Sequence, residues 1–143
     1  MMFIVPGQPA SMPRPIFSTR GGFARALTPP NAVSYKAQVL SALRDAMDAG
    51  DASRISDGAV EVEISAFFGR PKSHCRKRAP FPGDEPMPWG KDVDNIAKIV
   101  LDAMNGWAWR DDSQITQLTV RKIMAAQDAA PRVVVEYRPT TGR

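Results

Sequence analysis

Apolar and polar side chains alternate from Val60 to Ala66 within AVEVEISAFF, residues 59–68. The apolar members occupy every second position and the polar members fill the gaps: Val60, Val62, Ile64, Ala66 and Phe68 against Glu61, Glu63 and Ser65. Because successive side chains of a strand point to opposite faces, this period of two predicts a strand with one buried face. It is the clearest strand pattern in the chain and favours a fold built on a sheet.

Other segments predict further strands. MFIVPG at the N-terminus predicts a short first strand that proline and glycine end. Residues 13–30 predict a hairpin, two short extended runs joined around Gly21-Gly22. The segments QITQLTVRKIM and PRVVVEYR predict two final strands with a short connection between them.

Two segments have helical periodicity. The first predicts a helix from Asn31, its N-cap, to about Met47, with a stop at Gly50. The second lies within KDVDNIAKIVLDAMNG and predicts a helix that ends at Gly106. Its apolar stripe consists of Val93, Ile96, Val100 and Ala103, widened by Ile99 and Met104. The order of elements predicts an α+β fold, a mixed β-sheet with two main helices packed on it.

Length and composition indicate one compact domain over residues 1–143, of which 43% are hydrophobic and 24% charged. No apolar run reaches the roughly 18 residues of a membrane-spanning helix. The N-terminus has neither a basic flank nor an apolar segment typical of a signal peptide. A single cysteine, Cys75, excludes an internal disulfide, so a cytoplasmic location is expected.

Charge is unevenly distributed. Residues 1–44 contain no Asp or Glu, and residues 70–91 form a basic, proline-rich loop with Arg70, Lys72, Arg76, Lys77 and Arg78. Such segregation often marks an anionic partner, usually nucleic acid. A solvated loop with solubilising cations is the alternative. A loop of this length in a small domain is either functional or disordered.

Two pairs of carboxylates flank the second helix: Asp92 and Asp94 before it, Asp111 and Asp112 after it. Carboxylate pairs can bind Mg²⁺, which prefers oxygen ligands and keeps several waters. About 15 residues of helix span over 20 Å, so the pairs can meet only if the helix is shorter or a second subunit contributes. Lys98 lies one turn after Asp94, placed to pair with it or to hold a phosphate.

Each pair also has a simpler interpretation. Asp92 or Asp94 could be only an N-cap, a common position for aspartate. The Asp111-Asp112 pair could be only a surface turn. The two pairs together, with Lys98 and the basic loop, favour a metal-dependent nuclease site.

The string KDVDNIAKIVLDAMNG followed by WRDDSQI closely resembles the signature of the RusA family of Holliday junction resolvases, which are crossover junction endodeoxyribonucleases. The matching positions are Asp92, Asp94, Asn95, Lys98, Asp102, Gly106, Trp109, Asp111, Asp112, Gln114 and Ile115. The N-terminal VPGQPASMPRP also resembles the family's opening. Family members often have a lysine where this chain has Met12, which receives no role.

The resemblance implies a RusA-like fold and a homodimer that binds four-way DNA junctions in recombination and repair. It implies paired nicks made with Mg²⁺ or Mn²⁺. The implied catalytic residues are Asp92, Asp94, Lys98 and Asp112, and the implied metal ligands are Asp92, Asp94 and Asp112, with Asp111 as a helper. From the basic segments we expect DNA contacts from Arg14, Arg20, Arg70, Lys72, Arg76, Lys77, Arg78 and Lys91.

Other residues carry smaller expectations. Trp107 and Trp109 are expected in the core or a dimer interface rather than stacked on an unpaired base. Asp102 is expected to pair with Lys98. Two other functions compete with the nuclease: a non-catalytic branched-DNA-binding protein of the same fold, and a metal-dependent hydrolase of a small phosphate ester. The long basic runs disfavour the latter.

Overall fold

The structure is a computed structural model that describes residues 1–13, 16–22, 25–27, 30–78 and 83–140. Its strands and helices follow in the order β1 (Met2–Pro6), β2 (Ile16–Ser18), β3 (Arg25–Leu27), α1 (Pro30–Asp48), β4 (Val60–Phe68), β5 (Glu85–Pro86), α2 (Val93–Met104), β6 (Ile115–Met124) and β7 (Arg132–Pro139). Short 3-10 turns lie at Arg20–Gly22, Lys72–His74 and Asp112–Gln114.

Five strands form one mixed sheet in the order β1-β7-β4-β6-β5. Strand β4 is parallel to β6 and antiparallel to β7, and α2 lies in the connection from β4 to β6. The remaining strands, β2 and β3, pair antiparallel as a separate two-stranded sheet. The predicted α+β class, the mixed sheet and the hairpin around Gly21-Gly22 are therefore confirmed.

One face of the sheet is buried. The apolar positions of β4, from Val60 to Phe68, are at most 7% exposed, as the alternation predicted. They share a single core with α1 and α2, which contribute Val39, Leu43, Ile96 and Val100. Full burial of each such side chain contributes about 1.5–3 kcal/mol. This face holds α2 against the sheet and thereby fixes both ends of the helix.

The helices differ from the prediction in detail. Helix α1 begins at Pro30, so Asn31 lies in its first turn and is not the N-cap. Proline suits a first helical position because its missing N–H would have no intrahelical partner there. Helix α2 has 12 residues, and Val93 at its start is 43% exposed rather than part of the buried stripe. Gly106 has a φ of 82°, which accounts for the stop.

The described parts of the basic loop are anchored to the end of the sheet. The buried Arg70 side chain donates from Nη1 to Glu85 at 2.9 Å and from Nε to the Ala125 carbonyl at 3.2 Å. The side-chain amide of Gln127 accepts from the backbone N of Arg76 at 2.9 Å and donates to its carbonyl at 2.7 Å. Short strand β5, which the sequence did not predict, lies beside the end of β6.

These contacts give Arg70 a structural role. The Arg70 side chain is only 1% exposed, and its Nη2 also donates to the Gly83 carbonyl. Arg70 therefore anchors the loop within the fold, and its contact with DNA stays a prediction.

We expect Arg70→Ala to lower the free energy of unfolding by about 1–3 kcal/mol, because the carbonyl of the buried Ala125 loses its donor. Thermal unfolding and limited proteolysis between Lys72 and Arg78 would measure this. Lys77→Ala, on the same loop but at an exposed side chain, is the control and should leave both unchanged. Equal protease resistance of Arg70→Ala and the parent protein would contradict the anchoring role.

No helix among the described residues is long and apolar enough to cross a membrane.

Candidate active site

The first pair of carboxylates lies at the start of α2. Asp92 is the N-cap by backbone position, with φ −75° and ψ 140°, yet its side chain accepts no capping hydrogen bond. Asp94 lies in the first turn. Both side chains are exposed and have no hydrogen bond or ion pair with another described residue. Since a capping aspartate normally accepts a backbone N–H, capping alone does not explain Asp92.

Lys98 lies one turn further along α2 and is exposed. The predicted partner of Lys98, Asp102, instead forms an ion pair with Lys36 of α1. The prediction that Asp102 fixes Lys98 was therefore wrong, because tertiary packing brings a second helix within reach. Within the described part of the chain, the Lys98 ammonium has no ion-pair partner and lies on the same helix as Asp94.

The N-terminal segment passes beside this first turn. The backbone N of Met12 donates to the Asn95 carbonyl at 2.8 Å, and the Met12 side chain packs against the core. The residue at which this chain departs from the resemblance is thus next to the carboxylate pair, and it is apolar. Met12 therefore supplies no cation to this end of the helix.

The basic loop approaches the same end of α2. The His74 ring lies 5.2 Å from the ring of Trp89, centroid to centroid. Lys122, near the end of β6, donates to the Trp89 carbonyl at 2.8 Å. Trp89 precedes Lys91 and Asp92 by only a few residues, so the last residues of the loop lead directly into the carboxylate pair.

The second pair of carboxylates belongs to a tight turn after α2. Asp111 Oδ2 accepts from the backbone N of Ser113 at 2.9 Å, and Gln114 completes a capping box. Gln114 Oε1 accepts from the backbone N of Arg110 at 2.8 Å, and its Nε2 donates to the Gly58 carbonyl at 3.1 Å. Hydrogen bonds from Ser113, the largest from its side chain, lower the pKa of Asp111. Asp111 is therefore engaged in shaping the turn.

Asp112 is held differently. Its Oδ1 accepts from the indole Nε1 of Trp109 at 2.8 Å. Trp109 is fully buried, as expected for a core residue, and its ring meets Tyr137 edge to face at 5.8 Å. The sequence did not indicate the hydrogen bond, although a buried indole N–H usually has a partner. Trp107 is 46% exposed, outside the core, with the Arg44 guanidinium 5.4 Å from its ring centre.

The two pairs lie at opposite ends of α2. Trp89, ahead of the helix, contacts Lys122 near the end of β6, whereas Asn105 and Trp109 form a β-bridge just before β6 begins. A helix of 12 residues separates its ends by about 18 Å. Accordingly, no three His, Cys, Asp or Glu side chains among the described residues form a group that could hold a metal ion.

The predicted DNA-binding residues are placed as follows. Lys72, Arg76, Lys77, Arg78 and Lys91 are exposed, and Lys91 directly precedes Asp92. Arg14 lies outside the described residues. Arg20 is in the 3-10 turn that connects the two strands of the hairpin, and its side chain is outside the description.

Comparison with known proteins matches residues 6–138 to the family Endodeoxyribonuclease RusA. The chain is also similar to a protein of Bacillus subtilis (strain 168), named uncharacterized protein YqaN. The two are 31% identical over 140 residues, which cover 95% of this chain and 94% of the relative. The family match spans both carboxylate pairs, both helices and the whole of strands β2 to β6. This chain belongs to the RusA family of endodeoxyribonucleases.

Proposed function

We propose that this protein is a Mg²⁺-dependent endonuclease that resolves four-way DNA junctions by paired nicks. The observation that carries the proposal is the pair Asp92 and Asp94. Both carboxylates are exposed at the start of α2, neither has a described partner, and Lys91, the last residue of the basic loop, directly precedes them. A carboxylate pair next to cations suits a phosphodiester substrate bound through a metal ion.

The donor set fits Mg²⁺. This ion takes hard oxygen ligands, keeps several waters, and is typically bound through one or two carboxylates and substrate phosphates. Asp92 and Asp94 would supply the carboxylates, and Mn²⁺ would fit the same oxygens. When bound, the ion supplies positive charge that polarises the scissile phosphate. Two carboxylates from one chain leave coordination positions for the DNA phosphate and for a further ligand.

The remaining residues act on the DNA. Lys98, on the same helix as Asp94, is placed to hold a non-bridging phosphate oxygen. Lys91 and the exposed cations of the loop bind the phosphates that flank the cut and so fix the strand against the carboxylates. Because these contacts are to the sugar-phosphate backbone of the DNA, they recognise the shape of the DNA and not its base sequence.

Asp112 joins the site through a second copy of the chain. Within one chain it lies beyond the other end of α2, a helix that is about 18 Å long. A twofold dimer that aligns the start of one α2 with the end of its partner would bring Asp112 to the opposite carboxylate pair. Such an isologous arrangement makes two identical sites, which paired cuts on symmetric strands require.

A non-catalytic junction-binding protein is the competing function. Two unpartnered carboxylates among cations would weaken phosphate binding, so a binder would gain from their loss. Incubation with a mobile four-way junction, a splayed duplex and a linear duplex, with and without Mg²⁺, separates the two functions. We expect paired cuts in the junction only with Mg²⁺. Binding without cleavage under every metal condition would support the binder instead.

Junction affinity should fall steeply with salt, because each phosphate that the protein neutralises releases a counterion. Replacing Arg76, Lys77 and Arg78 with alanine should reduce the slope of log Kd against log salt by about 0.9 for each phosphate that the loop no longer neutralises. Fluorescence anisotropy at several salt concentrations would measure it. The control replaces Arg121 and Arg138 with alanine. These two arginines pair with Glu63 and Glu61 on the face of the sheet that does not carry the core, and their loss should leave the slope unchanged. An unchanged slope in the triple variant would show that these three residues do not contact the DNA phosphates.

A further inference from the structure

The hydrogen bond between Trp109 and Asp112 joins a buried side chain to a carboxylate of the proposed site. Trp109 Nε1 donates to Oδ1 at 2.8 Å, while Oδ2 has no partner among the described residues. Asp112 itself is partly exposed at the turn before β6. One oxygen is thus held by the core and the other is left for a ligand.

The indole cannot easily move. Trp109 is 0% exposed, and its backbone forms β-bridges with both Ile55 and Asn105. Its ring meets Tyr137 at an interplanar angle of 80°, and the Tyr137 hydroxyl donates to the Ser53 carbonyl at 2.8 Å. A donor fixed on all sides by the core fixes the rotation of the carboxylate that accepts from it.

We infer that Trp109 is a positioning residue, whose indole N–H orients Asp112 so that Oδ2 is presented as the metal ligand. The inference rests on the proposed function, since it assigns Asp112 to the metal site. Carboxylate ligands of metals are themselves hydrogen-bonded, and loss of such a partner typically costs about 10–100-fold in metal affinity or activity. Trp109 therefore serves the site without touching DNA or metal.

Trp109→Phe tests the inference, because phenylalanine keeps an aromatic ring in the core and removes the N–H donor. Mn²⁺ affinity, measured by electron paramagnetic resonance, should fall about tenfold or more. Junction affinity without metal should stay unchanged. Tyr137→Phe removes a buried hydroxyl from the same cluster without touching Asp112 and is the matched control. Should Trp109→Phe fail to fold, benzothienylalanine at position 109 keeps the ring shape and also lacks the N–H.

A double-mutant cycle separates positioning from general loss of structure. If Trp109 acts through Asp112, then Trp109→Phe should not weaken Mn²⁺ binding further in an Asp112→Asn protein. Equal losses in both backgrounds would overturn the inference. Loss of affinity in Asp112→Asn but not in Trp109→Phe would overturn the inference and leave the proposed function standing. Unchanged affinity in Asp112→Asn would remove Asp112 from the metal site and overturn the inference, whereas the proposed function would fall only if the junction were bound and never cut.

Discussion

Replacing Asp94 with asparagine is expected to reduce junction cleavage by about a hundredfold or more, because metal charge stabilisation is worth several kcal/mol. Asparagine keeps the size of the side chain and removes the charge that holds Mg²⁺ beside the phosphate. Junction affinity without metal should hold or improve, since a negative charge facing the DNA is lost. Single-turnover cleavage and metal-free binding of the same purified variant would measure both.

The position of Asp94 in the helix sharpens this test. Asp92, and not Asp94, is the N-cap of α2, so asparagine at 94 costs only about 0.3–1 kcal/mol of helix-dipole interaction. Asp102→Asn is the matched control: it makes the same chemical change on the same helix, at the residue paired with Lys36. We expect it to cleave normally. An Asp94→Asn protein with a normal melting temperature and full cleavage activity would contradict the nuclease site proposed here.

Mixing two inactive variants should restore cleavage if the site is shared between subunits. In a dimer of one Asp94→Asn chain and one Asp112→Asn chain, one site keeps all its carboxylates and the other loses two. Random exchange should therefore recover about a quarter of the wild-type sites. Because each mixed dimer has one working site, the product should be a single nick in place of paired cuts. Native gels of nicked and resolved junctions would distinguish these products.

The control for mixing uses two changes in the same half of the site. Asp92→Asn mixed with Asp94→Asn leaves no complete site in any combination of chains, so no activity should return. Light scattering of each variant should first show a dimer at micromolar concentration. Failure of the first mixture to recover any cleavage, with subunit exchange demonstrated by two tags, would place the whole site within one chain.

The sequence by itself determined the elements and their class. The alternation in β4 and the apolar stripe of α2 are local patterns with fixed periods. The buried face of each element could therefore be predicted without knowing which other element packs against it. The composite motif from Asp92 to Ile115 also indicated the family that the comparison then identified. The exact ends moved, as at Asn31 and Val93, where neighbouring elements decide which turn is covered, and the short strand β5 was not predicted.

The tertiary structure alone decided which side chains meet. Helical spacing paired Asp102 with Lys98, but packing of α1 on α2 supplied Lys36 as a competitor from far along the chain. The cluster of cations in the loop placed Arg70 among the predicted DNA contacts. In the fold, its guanidinium donates hydrogen bonds to Glu85 and to two carbonyls. In both cases the local pattern stated what a side chain could bind, and not what would be within reach.

The same limit applies to the carboxylates. Spacing along the chain placed two acid pairs at the ends of one helix, and the antiparallel course of α2 and β6 keeps them apart within a single chain. The Trp109 indole reaches Asp112 only three residues further along the chain. That contact depends on the burial of the ring in the core, which no periodic pattern in the sequence indicated. Periodic patterns report which face of an element is buried, because that depends on neighbours a few residues away. Contacts between elements depend on how whole layers pack, and only the folded chain specifies them.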